Sequence, residues 1–194
     1  MAFQDILDSI YTEVLQVENT GKAADYIPEL GKVNADKYGI ALVDKYQNVF
    51  TKGDADEKFS IQSISKVITT ALIFSKIGND LWKRVGKEPS GNAFNSLIQL
   101  EFEKGIPRNP FINAGALVIA DLMLEHFENP KEYLLNFVRE LSENPTLNYN
   151  QNVIQSETEN GFRNAALVNF IKSFGNIKHK PEEVLDFYYH QCSI

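Results

Sequence analysis

Residues 62–78 have the sequence QSISKVITTALIFSKIG, which carries the strongest structural signal in the chain. The apolar side chains of this stretch recur at helical spacing: Val67, Ile68, Ala71, Leu72 and Phe74. Gly78 follows them, and glycine commonly ends a helix. The stretch therefore predicts a strongly apolar helix that begins near Ser63 and ends at Gly78.

The predicted start of this helix contains a Ser-x-x-Lys pattern, formed by Ser63 and Lys66. Residues three apart share one face of a helix, so the hydroxyl and the amine can meet. A serine hydroxyl is a weak nucleophile until a base takes its proton, and a lysine whose pKa is lowered by burial is such a base. Free N–H groups at the helix start also stabilise an oxyanion. Taken alone, however, the pattern is more often a cap serine and a solvated lysine.

Helical patterns recur along the rest of the chain, and several have start signals such as Pro130. They predict helices over residues 3–18, 113–126, 130–141, 156–174 and 181–191.

Strand patterns are fewer. Residues 39–43 and 48–51 flank a turn-like segment and predict a β-hairpin. An isolated two-stranded sheet is marginal in water and needs further strands. The length of 194 residues suits one domain. We therefore predict a single domain over residues 1–194 whose sheet lacks its C-terminal strands.

Composition excludes several classes of function. The net charge is -7, and no Lys/Arg cluster could displace counterions from a nucleic acid, so no nucleic-acid partner is predicted. The apolar stretch from Ala116 to Leu124 is too short to span a bilayer and is broken by Asp121, so no membrane partner is predicted.

Metal and cofactor sites are also unsupported by the sequence. The three histidines lie in unrelated contexts, and Cys192 is the only cysteine, so neither a zinc site nor an intrachain disulfide is predicted. A phosphate-binding loop and a dinucleotide fingerprint are both missing, so no cofactor is predicted. The lone cysteine and the lack of a secretory pattern favour a cytoplasmic location.

Seven blocks then point to one family when taken in order. They are YIPEL (26–30), QSISK (62–66), GKEPSG (86–91), NPFINAGA (109–116), QSE (155–157), RN (163–164) and LDFY (185–188), the last of which continues into QCSI (191–194). The order of these blocks and the residues in them resemble those of the glutaminase family, within the serine beta-lactamase and penicillin-binding-protein superfamily. The blocks span nearly the whole chain.

The resemblance implies an α/β (α+β) fold, serine beta-lactamase/transpeptidase-like, in which a helical cluster packs against an antiparallel sheet. It also implies hydrolysis of L-glutamine to L-glutamate and ammonia through a glutamyl-serine acyl-enzyme, without a metal or organic cofactor. Ser63 would be the nucleophile and an oxyanion donor through its N–H, and Lys66 the proton acceptor. The family commonly forms homo-oligomers, so a dimer or tetramer is expected.

The resemblance further implies a set of residues that line the glutamine pocket: Tyr26, Gln62, Ser63, Asn113, Glu157, Asn164 and Tyr188. Glu157 suits the α-ammonium of free glutamine, whereas the amides and tyrosine hydroxyls suit its α-carboxylate. A charge-assisted pair of this kind contributes on the order of 1.5–3 kcal/mol.

Each pocket residue also has a structural alternative. Tyr26 and Tyr188 could be core aromatics with satisfied hydroxyls. Asn113 could cap the helix that follows it, and Glu157 could lie in the first turn of a helix.

The chain departs from the family pattern in one respect. A tyrosine that helps relay the proton, and a Lys-Ser-Gly-Val-like strand that supplies the second oxyanion donor, are not found, and residues 172–175 (KSFG) do not replace the strand. Two alternatives to glutaminase activity therefore stay open. One is another acyl-serine hydrolase of the same fold, and the other is a non-catalytic fragment that associates with full-length subunits.

Overall fold

The computed structural model describes residues 2–91 and 97–194. The chain divides into two compact units, one reaching to Phe59 and one from Ser60 to Ile194. The single domain predicted over residues 1–194 stays a prediction. The α-helices are α1 (Phe3–Val14), α2 (Ser65–Ile77), α3 (Ile98–Phe102), α4 (Asn113–His126), α5 (Pro130–Leu141), α6 (Gln151–Asn160), α7 (Phe162–Ser173) and α8 (Pro181–Cys192). Short 3₁₀ helices cover Leu30–Lys32, Gln62–Ile64 and Gly78–Lys83.

The first unit contains the predicted hairpin. Strands β1 (Gly39–Val43) and β2 (Val49–Gly53) pair antiparallel. The turn between them is fixed by Asp44, whose Oδ1 accepts hydrogen bonds from the backbone N–H groups of Tyr46 and Asn48, at 2.7 and 2.9 Å. An aspartate that bonds to its own turn in this way is a common turn former. The structure confirms the hairpin.

The first helix is shorter than the predicted range of residues 3–18, which is wrong at its end. After Val14 the chain continues in tight turns, in which Val17 N–H donates to Val14 O at 3.0 Å. Val17 is 70% exposed. Because the apolar residues beyond Val14 bury little surface, packing does not hold another helical turn in place.

The second unit is built around α4. Every residue from Ala114 to Met123 is buried, and α4 packs against α2, α7 and α8. A helix that is apolar all round lies in a core. Each fully buried side chain of the size of Leu117 contributes roughly 1.5–3 kcal/mol of transfer free energy. The first residue of α4 is therefore anchored by the most buried element of this unit.

The long helix predicted over residues 156–174 is wrong, because two helices occupy this region. Asn150 caps α6 by accepting hydrogen bonds from the backbone N–H groups of Asn152 and Val153. The break between α6 and α7 falls at Gly161, where an added Cβ would lie 2.0 Å from Tyr189 Oη. The close approach of α8 thus requires glycine there.

The other predicted helices agree with the structure. The predicted bounds of α4 and α5 are confirmed, and α8 ends one residue later than predicted. The apolar helix that ends at Gly78 is confirmed as α2, preceded by a 3₁₀ turn. Within the described ranges, no helix combines the length and the hydropathy that crossing a membrane requires.

Candidate active site

Ser63 lies at the centre of the 3₁₀ turn Gln62–Ile64 that leads into α2. The backbone of Gln62 has a φ of 43°, an uncommon value for a residue with a side chain. Such backbone strain costs of order 1–3 kcal/mol and tends to occur at functional sites. Ser63 is exposed, and neither its hydroxyl nor its N–H donates a hydrogen bond within the described residues. Both groups are therefore available to a ligand.

Lys66 is buried one helical turn after Ser63, with 4% of its surface exposed. Its Nζ donates hydrogen bonds to Asn113 Oδ1 at 2.8 Å and to Phe111 O at 3.2 Å. Burial lowers the pKa of the Lys66 amine from its usual 10.5, and the nearby Cys192 thiol opposes this effect. A lysine amine with a lowered pKa is suited to accept a proton.

Asn113 joins Lys66 to a second amide. Its Nδ2 donates to Asn164 Oδ1 at 3.0 Å, so Lys66, Asn113 and Asn164 form one continuous hydrogen-bonded chain. The helix-cap interpretation of Asn113 is wrong, because the N-cap of α4 is Ile112 and no side chain caps it. The structure thus brings together three predicted site residues that are up to 98 positions apart, from Lys66 to Asn164.

Glu157 lies on α6 and is 4% exposed. Its carboxylate has no hydrogen bond or ion pair within the described part of the chain. Burial raises the pKa of Glu157 to about 7. The first-turn interpretation is wrong, because Glu157 is the seventh residue of α6. A buried carboxylate without a partner is a favourable site for a ligand cation, since pairing would offset its desolvation.

Tyr188 and Cys192 lie on α8, one helical turn apart. Both are buried, and the Cys192 thiol interacts with the side chains of Ser65 and Tyr188. Burial raises the pKa of the Cys192 thiol to about 12, so this cysteine is a poor nucleophile. Tyr188 packs in the apolar core, so its core-aromatic and pocket interpretations both stay open.

Comparison with known proteins identifies the family. The model of the family described as Glutaminase matches residues 21–194. The chain belongs to the glutaminase family. A glutaminase of Christiangramia forsetii is 53% identical over 194 residues, which cover 100% of this chain and 64% of the relative. A glutaminase of Rhizobium etli is 50% identical over 192 residues, covering 97% of this chain and 62% of the relative. The chain thus spans less than two thirds of the length of these curated glutaminases.

Solved structures agree with this assignment. A protein described as probable glutaminase ybaS superposes with a TM-score of 0.89 at 33% identity, over 98% of this chain and 62% of its own. A probable glutaminase of Bacillus subtilis gives a TM-score of 0.80 at 31% identity, over 98% of this chain and 57% of its own. These matches confirm the predicted α/β fold class, with its helix-rich body and small antiparallel sheet.

Within this glutaminase-family chain, the predicted site residues fall into two groups. Ser63, Gln62 and the residues described above lie in the unit from Ser60 to Ile194, whereas Tyr26 lies in the unit that reaches to Phe59. Tyr26 is 62% exposed, and its role in the pocket stays a prediction, as do the roles of the other site residues. In the described ranges, no cluster of three or more His, Cys, Asp or Glu side chains is arranged to hold a metal ion.

The structure adds two residues that sequence reasoning missed. Ser65 is fully buried and donates a hydrogen bond from its Oγ to Gln62 O at 2.6 Å. Gln191 is also fully buried, and its Nε2 donates to Ser65 Oγ at 3.3 Å. The spacing of 126 residues between them explains why no local pattern could have indicated the contact.

Proposed function

We propose that this chain carries the catalytic residues of a glutaminase, which hydrolyses L-glutamine to L-glutamate and ammonia. The observation that supports this most directly is the buried Lys66 amine one turn from Ser63, with Asn113, Asn164 and an unpaired buried Glu157 in the same unit. Ser63 and Lys66 supply the nucleophile and the base of the proposed reaction. Glu157 supplies a negative charge for the α-ammonium of free glutamine, and the amides of Asn113 and Asn164 suit its α-carboxylate. The curated relatives are named glutaminase.

The proposed reaction proceeds in two halves. The Ser63 Oγ attacks the side-chain amide carbon of glutamine while neutral Lys66 takes the hydroxyl proton, and the Ser63 N–H stabilises the oxyanion. Collapse of this intermediate breaks the C–N bond, and the proton on Lys66 moves to the departing ammonia. Water then attacks the glutamyl ester and gives its proton to Lys66. Release of glutamate restores the Ser63 hydroxyl when Lys66 returns that proton.

The test measures turnover of L-glutamine, as glutamate release, by the 194-residue chain and by its Ser63→Ala variant. Loss of the nucleophile is expected to lower kcat by roughly 10⁴–10⁶-fold, since no other group takes its place. If this chain shows no turnover, the parent chain and the Ser63→Ala variant are both compared after fusion to the C-terminal part of the C. forsetii glutaminase. Activity only in the fusion would support the proposal and identify the 194-residue chain as an inactive fragment.

Turnover by the Ser63→Ala variant equal to that of the parent chain would contradict the proposal. Inactivity of both the 194-residue chain and the fusion would also contradict it. A chromogenic cephalosporin in the same assay covers the alternative of another acyl-serine hydrolase. The buried, unpaired Glu157 disfavours that alternative, because it suits a free α-ammonium. The cytoplasmic location and the homo-oligomeric assembly expected from the resemblance stay predictions.

Glu157→Gln provides a test of the ammonium site. For the parent chain, we expect binding of L-glutamate to strengthen as the pH rises towards about 7, because Glu157 must lose its proton to pair with the ligand. The variant should bind roughly 10–100-fold more weakly above pH 7 and should lose this pH dependence. Isothermal titration between pH 5.5 and 8.5, spanning the pKa of about 7, measures both effects.

The same pKa makes a prediction about the ligand-free chain. The unfolded chain releases the Glu157 proton near pH 4.5 and the folded chain near 7, so the free energy of unfolding should fall between these values as pH rises. Glu157→Gln should remove this fall, which is on the order of 3 kcal/mol. Glu159→Gln is the matched control, because Glu159 is exposed on the same helix. A control that behaves like Glu157→Gln would contradict the assignment.

A further inference from the structure

The peptide bond between Gln62 and Ser63 is held by a side chain that the proposed reaction does not use. The carbonyl oxygen of Gln62 accepts hydrogen bonds from both the Oγ and the backbone N–H of Ser65. A peptide unit is planar and trans, so its C=O and N–H point in opposite directions. Anchoring the Gln62 carbonyl therefore sets the direction of the Ser63 N–H, which is the oxyanion donor of the proposed reaction.

Gln191 fixes the orientation of this anchor. The Ser65 hydroxyl has one proton, which it donates to Gln62 O, so it must accept the hydrogen bond from Gln191 Nε2. This assigns the amide orientation of Gln191 as well. The result is a directional relay from α8 through the Ser65 hydroxyl to the Gln62 carbonyl. A backbone hydrogen bond from Ile61 N–H to Ile194 O, at 2.9 Å, ties the same turn to the segment after α8.

Two features of this relay oppose stability. Gln62 keeps a positive φ, and the buried Oε1 of Gln191 has no hydrogen-bond partner within the described residues. An apolar side chain of similar size at position 191 would avoid the cost of an unsatisfied acceptor. Strain and unpaired polar atoms that persist in a core are associated with functional sites. The arrangement is therefore better explained by a requirement for one particular backbone geometry in the turn Gln62–Ile64 than by core packing.

We propose that Ser65 and Gln191 are positioning residues that hold the Gln62–Ser63 peptide in its strained orientation and thereby aim the Ser63 N–H at the oxyanion. This inference rests on the proposed function, since it names the residues that orient the oxyanion donor of that site. Neither side chain needs to touch the substrate. Without the relay, the peptide is expected to relax and the donor to turn away.

Kinetics of Ser65→Ala provide the first test, in whichever form of the protein turns over glutamine. We expect kcat to fall roughly 10²-fold, as for loss or misplacement of an oxyanion donor, with KM changed by less than about threefold. The midpoint of the rate against pH should stay where it is, because Lys66 is untouched. Thr69→Val is the matched control. It removes another fully buried hydroxyl one turn along α2 that bonds to Ser65 O and not to the Gln62 carbonyl.

A crystal structure of Ser65→Ala provides a second test that does not depend on turnover. We expect the φ of Gln62 to leave the positive region and the Ser63 N–H to change direction. Gln191→Met keeps the side-chain volume but removes the hydrogen-bond donor, and it should change the φ of Gln62 and the Ser63 N–H in the same way. This variant replaces Ser65→Ala in the test if Ser65→Ala fails to fold. An unchanged Gln62–Ser63 peptide in these variants, or a kcat equal to that of Thr69→Val, would overturn the inference. If glutamine turnover is never observed, the proposed function fails, while the peptide orientation still decides this inference.

Discussion

Replacing Lys66 with methionine is expected to lower kcat for glutamine hydrolysis by roughly 10⁴-fold or more while leaving the chain folded. The expected loss is large because the proposed reaction routes every proton transfer through this amine. In whichever form of the protein turns over glutamine, kcat should rise with pH as Lys66 loses its proton, with a midpoint below the usual 10.5 because burial lowers its pKa. Steady-state rates of glutamate release, measured at a series of pH values up to the usual pKa of 10.5, locate this midpoint.

The stability of the same variant separates a catalytic loss from unfolding. Methionine removes the cost of burying an ammonium, but it also removes the hydrogen bonds to Asn113 Oδ1 and Phe111 O. These contributions oppose each other, so the free energy of unfolding should change by no more than about 1–2 kcal/mol. Lys66→Arg is the control, since arginine keeps the charge and cannot act as a base. Substantial turnover by Lys66→Arg would contradict the role of Lys66 as proton acceptor.

Segments with strong local signals were predictable from the sequence. The helix α5 begins with a proline and has clear apolar spacing, and its predicted bounds agree with the structure. The strands β1 and β2 alternate around an aspartate turn, and they form the expected hairpin. In each of these cases the information lies within about a dozen neighbouring residues, where periodicity and turn chemistry act.

Features that depend on distant contacts were not predictable in this way. The break falls at Gly161, where Tyr189 of α8, 28 residues further along, leaves no room for a side chain. The amide of Asn113 looked like a helix cap in the sequence, but it bonds to Lys66 and Asn164 instead. Local patterns cannot rank such alternatives, because the deciding partners are contributed by other helices.

The candidate site combines these two levels of information. Ser63 and Lys66 were predicted from a local pattern, but that pattern alone favoured a solvated lysine. Burial of Lys66 to 4% exposure decides against that interpretation. This burial results from packing of α2 on α4, so the apolar helices determine the chemistry of the amine. The role of Ser65 could be found only from the hydrogen bonds that the folded turn makes.

Replacing Asp121 with alanine is expected to have the largest effect on stability, a loss of roughly 3–5 kcal/mol. Asp121 is a fully buried carboxylate on α4. Its oxygens accept hydrogen bonds from Arg84 Nη2 at 2.6 Å, from the His179 ring at 2.8 Å, and from the backbone N–H groups of Lys178 and His179. Alanine would leave the guanidinium and two backbone donors without this partner. Urea unfolding followed by the emission of Trp82, the only tryptophan, reports on this unit.

The pH dependence provides an independent check on the same carboxylate. Burial by itself raises the pKa of Asp121, but the hydrogen bonds from His179 and Arg84 outweigh it and hold the pKa below the usual 3.8. The stabilisation is therefore present above pH 3.8 and is lost as the pH falls through the lowered value. Asp121→Asn should weaken this acid-induced loss. Glu125→Gln is the matched control, because Glu125 also pairs with Arg84 but its side chain is 28% exposed, so its effect should stay below about 1 kcal/mol. Similar losses for the two positions would show that general charge balance, rather than the buried bonds of Asp121, stabilises this unit.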